Sequence, residues 1–166
     1  MGTISPKTHL PGTQHLAAFL VSLVVVIIVA ALGGIASADA AAEYGKLAQP
    51  GWAPPSYLFG PVWSGLYLLM AVAAWLVWRE GPRWTNPAII AYGLQLALNL
   101  LWSPLFFGLG WRGPALVDIV LLDVAVAATL ALFWKVHRAA AVMLLPYFAW
   151  ILFATALNYS VWSLNS

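Results

Sequence analysis

Five separate stretches of this chain, about residues 16–35, 57–78, 87–107, 114–134 and 139–162, are apolar almost without interruption. A bilayer core about 30 Å thick is crossed by about 20 apolar residues of helix, so each stretch predicts one transmembrane span. Composition removes the soluble alternative. The chain is 63% hydrophobic and 7% charged, whereas a soluble domain carries roughly 25% charged residues. Seven Lys and Arg with five Asp and Glu cannot cover a water-facing surface. The expected fold class is an all-α membrane protein, five transmembrane helices in an up-down bundle, forming a single domain over residues 1–166. A net charge of +2 with no Lys/Arg run gives no reason to expect a nucleic-acid partner. The absence of cysteine excludes disulfides, thiolate metal sites and cysteine nucleophiles. No metal site is expected.

The boundaries carry their own signals. Asn86-Pro87 and Gly113-Pro114 each read as an N-cap followed by proline at the first helical position. Gly81-Pro82 and the Gly108 to Gly113 stretch read as short turns, which force antiparallel neighbours. Ala36-Ser37-Ala38 after the first span resembles a leader-cleavage site, but that span is longer than a leader's apolar region, which predicts retention as a true helix. Lys7, Arg79, Arg83, Lys135 and Arg138 fall on one side of the predicted bundle, and Lys46 and Arg112 on the other. That bias predicts a cytoplasmic N-terminus.

The first connection, about residues 36–56, is the longest, and a connection of that length is often a lid or binding loop. It ends in the sequence WAPPSYLFGPVW. Pro54 and Pro55 stiffen the entry into the second span, with Trp52 beside them. Pro61, one turn further, is expected to leave a carbonyl without its usual donor. The stretch reads equally as a pocket lid or as a rigid turn anchored at the interface by Trp52 and Tyr57.

Polar groups inside hydrocarbon face the bundle interior. Gln95, Asn99, Trp102 and Phe106 fall within about 60° of one another on the third span, at about 100° per residue. Gly93 and Ala97 lie on roughly the opposite face and permit close helix approach, either to a second protomer or within one. Trp63, Tyr67, Met70 and Ala74 form a stripe on the second span. Trp150, Ala154, Leu157 and Val161 form one on the fifth, with Tyr147 and Asn158 nearby. At about 1.5 Å rise per residue, Trp63, Asn99 and Ala154 lie about 9–12 Å below the outer helix ends, and Gln95 and Trp150 about 17–18 Å. Three spans are thus expected to share one cavity under the first loop, suited to a large, flat, mostly apolar ligand. Aromatic stripes at this spacing also serve as plain core, and paired amides as interhelical hydrogen bonds. Asp118 and Asp123 diverge by about 140° and are not a paired acid and base. Asp118 is expected near the interface. Asp123 is expected near the midplane, protonated and hydrogen-bonded across a helix pair. Trp52, Trp78, Trp84, Trp111, Trp134 and Trp162 fall near span ends, as an aromatic belt would.

Several stretches together resemble the translocator protein family, also called peripheral benzodiazepine receptors or tryptophan-rich sensory proteins. They are Trp52-Ala53-Pro54-Pro55, Gly60-Pro61-Val62-Trp63 with Leu66-Tyr67, Gln95 to Asn99 through Trp102, Phe106-Phe107-Gly108, Ala115-Leu116-Val117-Asp118, and Pro146 to Trp150 through Ala154 to Tyr159. They run in order over about two-thirds of the chain. The resemblance implies five spans, a homodimer, and a pocket under the first loop that takes porphyrins, haem, sterols or benzodiazepine-site drugs. No covalently bound cofactor is implied. Carried over by position, pocket residues are Trp63, Tyr67, Gln95, Asn99, Trp150, Ala154 and Leu157. The tryptophans at Trp63 and Trp150 are implicated in light-dependent porphyrin breakdown in some members. No general acid, nucleophile or metal cluster is visible, so a conventional enzyme is not expected. No basic residue follows Tyr159, unlike the family's proposed sterol motif, and Pro114 stands where some members carry tryptophan. A bacterial envelope protein binding tetrapyrroles is the expected function. A transporter of porphyrins or sterols, or a scaffold without a ligand, is the alternative.

Overall fold

The computed structural model describes residues 12–36, 40–80 and 85–166. Lys7, Ser37, Ala38, Gly81, Pro82, Arg83 and Trp84 lie outside the described residues. Among the described residues every regular element is helical: α1 (Gly12–Ala36), α2 (Ala40–Lys46), a 3₁₀ turn (Ser56–Leu58), α3 (Phe59–Glu80), α4 (Pro87–Ser103), a π-turn (Pro104–Gly108), α5 (Arg112–Val136) and α6 (Arg138–Leu164). Five of these segments are long and apolar enough to cross a membrane. The protein is a multi-pass integral membrane protein with an all-α fold.

Pairs of touching side chains fix the relative directions of the helices. From α1 to α3, Phe19 packs on Trp75 and Ser22 donates to the Ala71 carbonyl, so sequence rises on one helix as it falls on the other. The same holds between α3 and α4, where Tyr67 meets Asn99 and Met70 meets Tyr92. Between α5 and α6, Asp123 meets Thr155 and Arg112 meets Asn158. Between α4 and α6 the partners rise together, Gln95 with Tyr147 and Trp102 with Asn158. The spans alternate up and down, as short turns require. Around the bundle the neighbours run α1, α3, α6, α5, α4 and back to α1.

The caps partly follow the sequence. Asn86 accepts from the Ala88 N–H at 3.0 Å with Pro87 at the first helical position, as expected. α5 instead starts two residues before the expected Pro114, after Trp111, which makes no side-chain cap. Pro114 is its third residue, where a missing N–H is harmless because the first turn has no intrahelical acceptors. Pro61 sits in the first turn of α3, which begins at Phe59 and continues directly from the 3₁₀ turn before it. The 36–56 connection is also not wholly loop, because α2 folds inside it. Its Glu43 and Lys46 pair across one turn.

The third span does not run as α-helix to residue 107. Pro104 cannot donate to the turn below it. The ladder widens there, and the Leu109 N–H reaches back five residues to the Pro104 carbonyl at 2.8 Å. Such widened turns concentrate at functional sites. Gly110 takes the left-handed backbone, φ 64°, that closes the turn into α5. At the other end a single residue, His137, reverses the chain, and its Nδ1 accepts from the Ala140 N–H.

Candidate ligand cavity

A cavity of about 430 Å³ lies between the spans under α2, within the usual size range for small-molecule sites. Five helices supply its walls, more than the three expected from the sequence. α3 gives Trp63 and Tyr67, α4 and its π-turn give Asn99, Trp102 and Phe106, and α6 gives Trp150, Ala154 and Leu157. These eight are expected site residues, and helical periodicity explains their convergence. Ala30, Gly33 and Gly34 of α1 and Ile119 and Leu122 of α5 complete the wall. Among the described residues, none that lines the cavity is charged.

Gln95 and Tyr147 do not line the cavity. They lie one layer deeper, 1% and 0% exposed, and hold the wall in place. Tyr67 Oη donates to Asn99 Oδ1 at 2.8 Å. Asn99 Nδ2 donates to Tyr147 Oη at 3.2 Å, and Tyr147 Oη donates to Gln95 Oε1 at 2.8 Å. This chain ties α3, α4 and α6 together, so the paired amides serve as interhelical hydrogen bonds as well as cavity lining. A second clamp runs from Trp102 Nε1 to Asn158 Oδ1 at 3.0 Å and from Asn158 Nδ2 to the Arg112 carbonyl at 3.1 Å. It fixes the Trp102 ring, which stacks on Phe106 at 5.0 Å.

Among the described lining residues, two carry buried donors without a partner: Trp150 Nε1 and Tyr44 Oη. Buried polar atoms are nearly always satisfied, so these two stand out in the cavity lining. Tyr44 is 5% exposed, and burial raises its phenol above the ordinary value of 10.0, keeping it a neutral donor. Phe59 packs edge-on against both Tyr44 (5.5 Å) and Trp150 (6.0 Å).

The lid residues read from the sequence lie elsewhere. Pro54 and Pro55 do not touch the cavity. Trp52 is half exposed and packs outside it on Phe153 at 5.6 Å. The roof is made by Ala40, Tyr44 and Ser56. Sequence reading missed Tyr44 because a seven-residue helix shows no periodicity. The Gly33-Gly34 pair did carry a signal, since glycine costs about 1 kcal/mol in a helix interior and a pair implies space or close approach. A Cβ at either meets nothing within 4 Å, so the pair borders open space.

Gly93 and Ala97 are exposed on the α4 face away from the cavity, and a Cβ at Gly93 meets nothing within 4 Å. They do not pack within the protomer. Asp118, expected near the interface, is buried within the bundle with Oδ2 unpartnered. Asp123 does bond across a helix pair, to Thr155 Oγ1 at 2.9 Å, away from the cavity. Trp52, Trp111, Trp134 and Trp162 are exposed near helix ends.

Residues 20–163 match the TspO/MBR family. The human (Homo sapiens) translocator protein is 46% identical over 125 residues, 74% of each chain. The tryptophan-rich protein TspO of Archaeoglobus fulgidus is 43% identical over 124 residues, 74% of this chain and 80% of that one. Protein CrtK of the bacterium Rhodobacter capsulatus is 39% identical over 156 residues, 92% of this chain and 95% of its own. The family match spans the segments that build the cavity, and with these relatives it shows that the chain belongs to the TspO/MBR family.

Proposed function

We propose that the cavity receives a flat, mostly apolar tetrapyrrole, and that the protein acts in porphyrin or haem sensing, trafficking or photo-oxidative breakdown. The observation that carries this reading is a ring-lined void whose described lining residues carry no charge and include two with unused hydrogen-bond donors, Trp150 Nε1 and Tyr44 Oη. Indole and phenyl faces supply stacking area for a conjugated macrocycle. The two donors supply a fixed point for a carbonyl or carboxyl oxygen at its edge. The cavity has no nucleophile with an adjacent base, so any chemistry on the ligand would come from light and oxygen acting beside the Trp63 and Trp150 rings. Sterols lack the flat conjugated face that this lining favours.

Titrating the protein in nanodiscs with protoporphyrin IX, read by tryptophan quenching, tests the reading. Trp63→Phe with Trp150→Phe is expected to preserve the fold, weaken binding about tenfold and abolish any light-driven loss of porphyrin absorbance. Unchanged affinity together with unchanged breakdown would exclude the cavity as the binding site.

Two further assignments follow the same reading. The open Gly93/Ala97 face of α4 is proposed to meet a second protomer. Arg79, at the end of α3, and Lys135 and Arg138, at the α5–α6 junction, share one end of the up-down bundle, and Lys46 and Arg112 share the other. The more basic end is proposed to face the cytoplasm of a bacterial envelope, which places the N-terminus there and the lid outside.

A further inference from the structure

Besides the packing of Tyr44 and Leu47, one side chain of the bundle hydrogen-bonds the lid backbone twice. Asn165, just past the end of α6, lies against the Ala48 backbone: the Ala48 N–H donates to Asn165 Oδ1 at 3.0 Å, and Asn165 Nδ2 donates to the Ala48 carbonyl at 2.9 Å. The amide thereby pairs with a single residue's N–H and C=O as a neighbouring strand would. It is itself held from below, because Nδ2 also reaches the Val161 carbonyl at 2.7 Å. On the lid side, Ala48 follows directly on the segment that positions Tyr44. The Leu47 N–H and Gln49 Nε2 both donate to the Tyr44 carbonyl. Leu47 packs on the cluster of Tyr44, Phe106, Ala115, Leu157 and Val161. Two turns earlier on α6, Asn158 clamps the Trp102 ring of the cavity wall. One stretch of α6 therefore holds both the wall and the roof of the same site.

We infer that Asn165 is a positioning residue that latches the lid, and that breaking its pairing with Ala48 sets the rate at which the cavity opens. The inference rests on the proposed function only for the identity of the ligand. The latch is reversible by design of its chemistry: both bonds are neutral and solvent-exposed, so each contributes modestly and water can replace it. No ion pair is involved in it, so its strength is insensitive to salt.

The experiment uses the full chain in nanodiscs and two readouts. Hydrogen exchange of residues 43–47, which make no bond to Asn165, reads lid opening without any ligand. Release of bound protoporphyrin IX reads its effect on the site. Asn165→Ala is expected to raise both rates about tenfold, the factor that follows from losing two modest hydrogen bonds, and to leave exchange within Ser160–Trp162 unchanged. Faster exchange confined to Ala48 or to the end of α6 would show a helix-end role only and overturn the inference. The chain has no cysteine, so Ala48→Cys with Asn165→Cys supplies a second arm. Oxidation is expected to slow both opening and release at least tenfold, and reduction to restore them. Failure to cross-link, or a cross-link that leaves lid exchange unchanged, would equally overturn it. If the wild-type protein binds no porphyrin, the proposed function fails while the exchange arm still decides the latch.

Discussion

Tyr147 and Trp150 stand three residues apart on α6 and illustrate two kinds of buried polar group. The Tyr147 hydroxyl is fully engaged, accepting from Asn99 and donating to Gln95. Removing it leaves two buried amide groups short of a partner, and each such loss costs about 1–3 kcal/mol. Tyr147→Phe is therefore expected to lower the unfolding temperature markedly in a detergent thermal melt. Trp150 Nε1 bonds to nothing in the protein. Trp150→Phe is expected to change the melt far less and to act on ligand affinity instead. The opposite order would show that Trp150 is a structural group and Tyr147 dispensable. From sequence the two residues look alike, since both are amphipathic aromatics on one helical face. Only the positions of Asn99, Gln95 and the void separate them.

At the scale of elements, α2 is the part of the site with the fewest internal constraints. Its seven residues are too few for a helix to hold alone. It is held by Tyr44 inserting among the rings below it, by the Leu47 and Gln49 bonds and by Asn165. Burial raises the Tyr44 phenol above 10.0 in the closed lid, whereas in an opened lid it ionises near the ordinary value. The closed lid is thus fully stable below pH about 10 and loses stability as pH rises from there toward the raised value. Ligand release is expected to quicken as pH rises above about 10, and Tyr44→Phe to remove the part of that rise due to the phenol. Stopped-flow release against pH measures it. The difference between the two proteins is the quantity to read. The sequence marked the lid by its length and prolines but not its roofing residue. The π-turn escaped in the same way: Pro104 sits inside an otherwise continuous apolar run, and its effect depends on where the ladder above it finds acceptors.

For the whole molecule, the bundle keeps its polar groups toward its own interior and leaves α1 and the outer face of α4 to the lipid. α4 presents Ile90, Leu94 and Leu101 beside Gly93 and Ala97 on that face. If this face meets a second protomer, Gly93→Leu, whose added Cβ meets nothing within 4 Å in the protomer, is expected to yield folded monomers by light scattering in detergent. A dimer that persists would move the interface to another face. The number of spans, their lengths and their alternation were fixed by the sequence alone, because hydrocarbon thickness and the need to satisfy every backbone group in lipid leave a long apolar run one solution. The stripes of site residues followed from the helical repeat for the same local reason. Which helices neighbour one another, that five of them border the cavity, and which donors remain unpaired were decided only by tertiary structure. A void is space that side chains from several distant segments fail to fill. No single segment encodes it, just as none encodes the pairing of Asn165 with a backbone 117 residues earlier.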